Sequence, residues 1–324
     1  MKGVNAISKR AAWIIALLAL FGASAAAGVA VQRSGMRPGG EPATSAPMGT
    51  ARPEDAGGAA APAPRPVAVV SAAPSKVPQG GLLCVTIRDL PASTEVTVEV
   101  FGAKRKAFVS GDSARLFVPV DVKQPPGVHM ANAECGDAGV IPAFFTVLET
   151  DFPSSRITVT RETEQLTQDQ ARIQKDQALV RAGKSSTHRA PYWLEPFSKP
   201  VDAPVSTPFG YTRYVNGRES GRHWGIDFAA EAGTPVTAAN AGKVVVAANL
   251  LLSGNTVVVD HGLNLFTSYL HMKDMKVKEG DLIEKGAVIG HVGSTGFSTG
   301  PHLHWSASCG LDSFDPSALL TVSP

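Results

Sequence analysis

The sequence predicts a mainly β protein: a small β-sandwich, one helix, and then a compact, barrel-like sheet. Three observations carry this. The 324 residues include 32 Gly and 24 Pro, a turn-rich composition. Short runs of alternating apolar and polar residues recur between Gly, Pro, Asp and Ser clusters. Only one stretch has helical periodicity. At 44% hydrophobic and 18% charged the chain reads as globular and long enough for two domains. Its net charge of +2, with no Lys/Arg block interleaved with aromatics, argues against a nucleic-acid partner.

Residues 1–32 read as a signal peptide or membrane anchor. Lys2, Lys9 and Arg10 precede an uncharged stretch from Ala11 to Gln32, and Ala23-Ser24-Ala25 is a plausible cleavage triplet. Uncut, the stretch would be long enough to span a bilayer at about 20 residues. Either way the remainder is expected outside the cytoplasm, in the periplasm or cell envelope, where anchoring to the inner membrane through this stretch would be open to it. In an oxidising compartment a Cys84–Cys135 disulfide is expected, with Cys309 left as a free thiol.

Residues 33–66, including "GGEPATSAPMGTARPEDAGGAAAPAPRP", hold too little apolar surface to offset ordering entropy and read as a disordered Ala/Pro/Gly tether. From 67 to 150 the runs "LLCVTI", "EVTVEVF", "ARLFVPV" and "AFFTVL" predict a β-sandwich-like accessory module. Val96, Val98 and Val100 should share one face, with Thr97 and Glu99 on the other. Its one histidine, His129, has no evident partner. Residues 151–199 form a linker holding a helix over 161–182. Leu166, Ile173 and Val180 recur at seven-residue steps along it, and Gly183 supplies a stop. So narrow a stripe predicts a helix lying on another domain's surface.

Residues 200–324 return to β structure. "GTPVTAANAGKVVVA" and "EGDLIEKGAVIGHVG" echo each other loosely, as in a compact sheet with tight glycine turns. Six of the eight histidines lie here. In "PHLHW", His302 and His304 face the same side of a strand, roughly 6.6 Å apart, so one natural arrangement makes one a ligand and sets the other just behind. His223 and Asp227 in "GRHWGIDF" would stand roughly 13 Å apart if fully extended, so one ion requires the chain to bend, at Gly225. His271 sits at a strand end. His261 falls in a turn and reads as structural, while His188 and His291 read as solvated. Two imidazoles and a carboxylate are a common set for catalytic zinc, and spare histidines can supply a base and a proton donor.

Taken in order, "FGYTRYVNGRESGRHWGIDFAAEAGTPVTAANAGKVV", "GNTVVVDHG", "SYLHM", "KEGDLIEKGAVIGHVGSTGFSTGPHLHW" and "FDPSALL" resemble the lysostaphin/LytM-type zinc metalloendopeptidases. The upstream β-module, the helix and "W…PF…P" resemble a cell-envelope subgroup of that family more loosely. The resemblance implies a small antiparallel β-barrel of the lipoyl or duplicated-hybrid-motif kind, carrying one Zn²⁺. It implies His223, Asp227 and His304 as zinc ligands. His302 would be the base for the attacking water, His271 would aid oxyanion stabilisation or proton delivery, and Tyr211 would add a hydrogen bond to the intermediate. The implied substrate is a cross-link or stem peptide of bacterial peptidoglycan. Ser306 departs from the family pattern, which often has an acidic residue there. The alternative is a catalytically inactive wall-binding or amidase-activating module. The N-terminal module or the helix could also cover the groove and hold the enzyme latent.

Overall fold

The computed structural model describes residues 68–91 and 94–322. The expected signal peptide or anchor (1–32) and the tether (33–66) lie outside the described residues. Among those described, no helix is long and apolar enough to cross a membrane.

The N-terminal module is two sheets over one core. Four antiparallel strands run in the order Val69–Ala73, Leu82–Arg88, Ser113–Pro119, Phe108–Ser110. The second sheet orders Lys76–Pro78, Val140–Leu148, Gly127–Glu134, Thr97–Val100 and Ala103–Lys106. Period-2 alternation drives the packing: Leu83, Val85 and Ile87 from one sheet meet Val98, Val100, Ala131, Phe145 and Val147 from the other. Val96 joins this core too, as the alternation of Val96, Val98 and Val100 predicts.

The same alternation removes the expected disulfide. Cys84 lies between Leu83 and Val85, so its side chain leaves the sandwich core and packs against the C-terminal core instead. Cys135 is fully buried inside the sandwich, and both thiols, like Cys309, are free. Two cysteines facing opposite sides of a sheet cannot reach the separation a disulfide needs, with Cβ atoms about 4 Å apart.

The predicted helix is interrupted. Arg161–Gln165 is α-helical and Leu166–Gln168 is a 3-10 turn; a second helix then runs over Gln170–Gly183. The cause is Asp169, whose carboxylate caps the second helix by accepting from the Arg172 amide at 3.0 Å. Gly183 ends this helix for a reason other than a left-handed cap. A Cβ there would fall 2.7 Å from Val246 Cγ2 and 3.0 Å from the Val245 carbonyl, so glycine lets the helix end rest on the Gly242–Leu250 strand. Ile173 and Val180 are buried, as the stripe requires.

The C-terminal region is built on an antiparallel sheet of eight strands. The order is Val205–Thr207, Ile226–Phe228, Leu303–Cys309, Leu265–Met272, Gly254–Asp260, Gly242–Leu250 and Leu282–Ile283, with Asp312–Phe314 also paired to Leu303–Cys309. A three-stranded sheet, Pro235–Thr237, Val288–His291 and Asp274–Met275, stands beside it. Every residue of Leu265–Met272 and of Leu303–Cys309 is buried, because both faces of these central strands are covered. One face meets a core containing Phe228, Val257, Leu303, Trp305 and Phe314. That core extends through Trp193 to Leu82 and Phe117 of the first module. The other face carries Val246, Val258, Phe266, Leu250 and Leu270, and Val180 of the helix packs there.

The linker is therefore no loose connection. Its strand Ser154–Ile157 pairs in parallel with Thr212–Val215, which pairs with Arg218–Arg222. Trp193, 1% exposed, stacks near Phe117 and Phe197 at centroid distances of 6.5 and 5.2 Å. His261 is buried and structural, and His188 is exposed, as the sequence suggests for each. His188 Nδ1 donates to Ala190 O at 2.8 Å, and His261 sits between Ala241 O and Thr267 Oγ1, each at 2.7 Å.

Candidate metal centre

Asp227 and His304 meet because their strands are neighbours: in the antiparallel pair Ile226–Phe228 with Leu303–Cys309 they are direct cross-strand partners. His223 arrives from the end of Arg218–Arg222. Its backbone is pinned on both sides, with Gly210 N donating to its carbonyl at 2.8 Å and its own amide donating to Tyr211 O at 2.9 Å. Its Nδ1 is 2.9 Å from Pro208 O, so Nδ1 carries the proton and Nε2 presents a lone pair. That Nε2 stands 2.9 Å from Asp227 Oδ1 and 3.0 Å from His304 Nδ1, while His304 Nδ1 is 2.8 Å from Asp227 Oδ1.

The expected bend between His223 and Asp227 is present, but Gly225 is needed chiefly for close approach. A Cβ at Gly225 would lie 2.6 Å from both His304 Nε2 and the Trp305 carbonyl. Gly225→Ala is accordingly expected to displace the His304 ring and to destabilise the fold by about 1–3 kcal/mol, the usual range for overpacking. Thermal unfolding measured beside zinc content checks this; an alanine variant with parental stability and metal affinity would show that the ring has room to move.

The electrostatics suit a cation. Burial alone would push the Asp227 carboxyl up, but the imidazoles of His223 and His304 outweigh it and hold the group well below the usual carboxylate range. Burial pushes His304 down to about 4 against the opposing pull of Asp227. At neutral pH Asp227 is thus a carboxylate and the His304 ring is neutral, and both converge with His223 Nε2. The edge of a tetrahedral Zn site is roughly 3.3 Å for bonds near 2 Å, close to the spacings here. Arg213 was not legible in the sequence as part of this site: its Nη2 stands 3.3 Å from Asp227 Oδ2, turning the second oxygen away from the converging atoms.

His302 and His271 stand just behind. His302 Nε2 is 3.9 Å from Asp227 Oδ1, and its Nδ1 lies 2.9 Å from Gly300 O. The His271 ring is centred 4.8 Å from His302 and 6.2 Å from His304, with Nδ1 2.8 Å from Thr295 O. Burial, helped by the neighbouring His302 and His304, pushes His271 down to about 3. Simple alternation would have put His271 on the Tyr269 face, inside the core. A bulge intervenes: Val257 pairs with Tyr269 but Asn255 pairs with Met272, and His271 takes φ 62°. Tyr269 and Met272 both reach the core, and His271 turns to the side of His304.

Asp227, His271 and His302 open onto a groove of about 280 Å³. The Gly/Ser/Thr run forms one wall, through Phe297, Ser298 and Pro301; Thr207, Arg213 and the linker's Ile157 form another. Tyr211 is not among the lining residues and touches the centre only through its carbonyl bond to the His223 amide. Ser306, where an acidic residue was expected by resemblance, is buried opposite Ser268 of the next strand.

Residues 221–316 match the family described as Peptidase family M23. A Pseudomonas aeruginosa structure described as a peptidase M23 is 28% identical. The match covers 75% of this chain and 93% of that one, with a TM-score of 0.55. The catalytic domain of lysostaphin from Staphylococcus simulans is 34% identical over 37% of this chain and 93% of that one, with a TM-score of 0.33. Peptidoglycan DD-endopeptidase ShyA of Vibrio cholerae is 46% identical over 83 residues, 26% of this chain and 19% of the relative. The chain spans between 19% and 35% of the length of the curated relatives it matches.

Proposed function

We propose, for a chain that belongs to peptidase family M23 through its residues 221–316, a zinc-dependent endopeptidase that hydrolyses cross-links or stem peptides of bacterial peptidoglycan. The observation that carries this reading is the convergence of His223 Nε2, His304 Nδ1 and Asp227 Oδ1 at 2.8–3.0 Å, with Asp227 and two further imidazoles, His271 and His302, lining a groove. His223, Asp227 and His304 would hold one Zn²⁺. When bound, zinc would polarise the scissile carbonyl and acidify water at the site.

The remaining work falls to the chain. Arg213 keeps the second oxygen of Asp227 committed, and Tyr211 O fixes the His223 backbone. His302 Nδ1–H donates a hydrogen bond to Gly300 O, which leaves Nε2 as the base that takes the proton from the attacking water. His271 Nδ1–H likewise donates a hydrogen bond to Thr295 O, so its Nε2 too is an acceptor at rest. It can stabilise developing negative charge, or serve the departing amine, only after receiving a proton. Its role on this reading is oxyanion stabilisation or proton delivery, each beginning with a proton taken up at Nε2. An extended peptide fits the groove, with the 297–301 wall on one side and Ile157 on the other.

On this reading the chain works outside the cytoplasm, in the periplasm or cell envelope, which the Lys2, Lys9, Arg10 flank and the apolar 11–32 stretch support. Because Ile157 lines the groove, the linker restricts access on one side, and regulation by that segment belongs to the same proposal. Truncation is a poor test of it: a fragment starting at residue 195 lacks the buried Trp193.

The reading is tested by stripping the purified chain with a chelator and assaying release of soluble fragments from purified peptidoglycan. Release is expected to stop and to return with about one equivalent of zinc. Release persisting in metal-free protein would overturn the zinc mechanism. No release in any metal state, with binding retained, would favour the inactive wall-binding module.

A further inference from the structure

The helix Gln170–Gly183 has a buried acid on its inner face. Asp176, 6% exposed, accepts from the Leu251 amide through Oδ2 at 2.6 Å and from Arg172 Nε through Oδ1 at 2.8 Å. Arg172 also donates through Nη2 to Asn249 O at 2.8 Å. A carboxylate taken so far out of water persists only when its oxygens are well partnered, and both are. Both partnerships converge on one place, the turn between the strands Gly242–Leu250 and Gly254–Asp260.

That turn is what holds the proton-handling side of the site. Ser253 O accepts from the His271 amide at 2.9 Å, at the residue whose φ of 62° no ordinary strand supplies. Leu252 O accepts from the Phe297 amide at 2.7 Å, at the start of the groove wall. Thr295 closes the ring: its carbonyl accepts a hydrogen bond from His271 Nδ1–H at 2.8 Å, and its Oγ1 accepts from Asn255 N at 2.9 Å. Apolar contacts follow the same route, with Ile173 packed on Leu252 beside Phe297, and Val180 on Leu250 and Leu270.

We propose that Asp176 is a positioning residue for the reaction: by clamping the turn at residues 251–253 from the linker helix, it fixes where His271 and the Phe297 end of the groove wall stand. This rests on the hydrolase reading above. Asp176 touches neither substrate nor ligand atoms; it acts through backbone amides and carbonyls. A strained bulge residue needs surroundings that over-determine it, and the clamp is part of those surroundings.

The test uses the full chain, a purified cross-linked muropeptide dimer as substrate, zinc analysis, and NMR of the histidine ring nitrogens. Asp176→Ala is expected to keep about one zinc, to shift the His271 ring signals, and to lower kcat about 10- to 100-fold, the cost of misplacing a reacting group by an ångström or so. Asp176→Asn, whose amide oxygen can still accept from Leu251, should recover most of that loss. Arg172→Ala, which keeps the Leu251 bond, should move both readouts in the same direction by less, and it serves if Asp176→Ala does not fold. Ile87→Ala in the sandwich core, a control for general destabilisation, should leave kcat and the His271 signals unchanged. Unchanged kcat and His271 signals in Asp176→Ala would overturn the proposal, as would an equal fall in kcat in Ile87→Ala. If the parent releases nothing, the hydrolase reading fails, and the His271 signals alone still decide whether Asp176 controls that ring.

Discussion

His302→Ala is expected to lower release of muropeptides by about 10²- to 10⁴-fold, the usual worth of a positioned base, while zinc content stays near one per chain. The separation of the two effects follows from geometry. His302 Nε2 is 3.9 Å from Asp227 Oδ1, whereas the three converging atoms lie 2.8–3.0 Å apart without it. Truncating His302 leaves those atoms and their supports intact, since its own Nδ1 bond goes to Gly300 O in the groove wall. Zinc analysis and turnover on purified peptidoglycan, measured on the same preparation, check both halves. Loss of zinc in the variant would move His302 into the ligand set, and unchanged release would remove it from the chemistry.

Asp227→Ala should do the opposite, costing metal first and activity as a consequence. Its Oδ1 stands 2.9 Å from His223 Nε2 and 2.8 Å from His304 Nδ1, so without it two imidazoles remain, too few for a closed three-ligand face. A second cost falls on stability. The partly buried Arg213 guanidinium loses its 3.3 Å carboxylate partner, and breaking such a pair from one side costs about 3–5 kcal/mol. The expected result is a chain without zinc after dialysis, without release, and with a lowered thermal midpoint. Zinc analysis and thermal unfolding read it; a variant retaining a full equivalent of zinc would assign the third ligand elsewhere. Comparing the two variants separates holding the metal from moving the proton.

Much of the candidate centre was legible because its residues carry rare chemistry in dense spacing. The pair His302 and His304 shares a strand side by simple period-2 geometry, and His223 with Asp227 needs only a bend. Arg213 was not legible: an arginine in "YTRYVNG" looks like any solvated strand residue until folding brings Thr212–Val215 beside Asp227. Nor was the position of His271. Alternation predicts the core, and only a bulge, stabilised by the Ser253 carbonyl and the neighbouring strand, turns the ring to the site. Tyr211, named by resemblance for its side chain, supports the centre here through its backbone carbonyl, which accepts from the His223 amide.

The sequence by itself determined the mainly β class, the alternating core of the sandwich, the buried helix stripe at Ile173 and Val180, and the concentration of candidate ligand residues in 200–324. These depend on periodicity and side-chain type, which are local. Only the tertiary structure decided the rest. It put Cys84 and Cys135 on opposite sides of a sheet, broke the helix at Asp169, tied the linker strand into the groove, and set Asp176 on the turn behind His271. Each of these depends on which face of one element meets which face of another. That is fixed by burial and hydrogen-bond satisfaction across residues far apart in the chain, and no short window of sequence contains it.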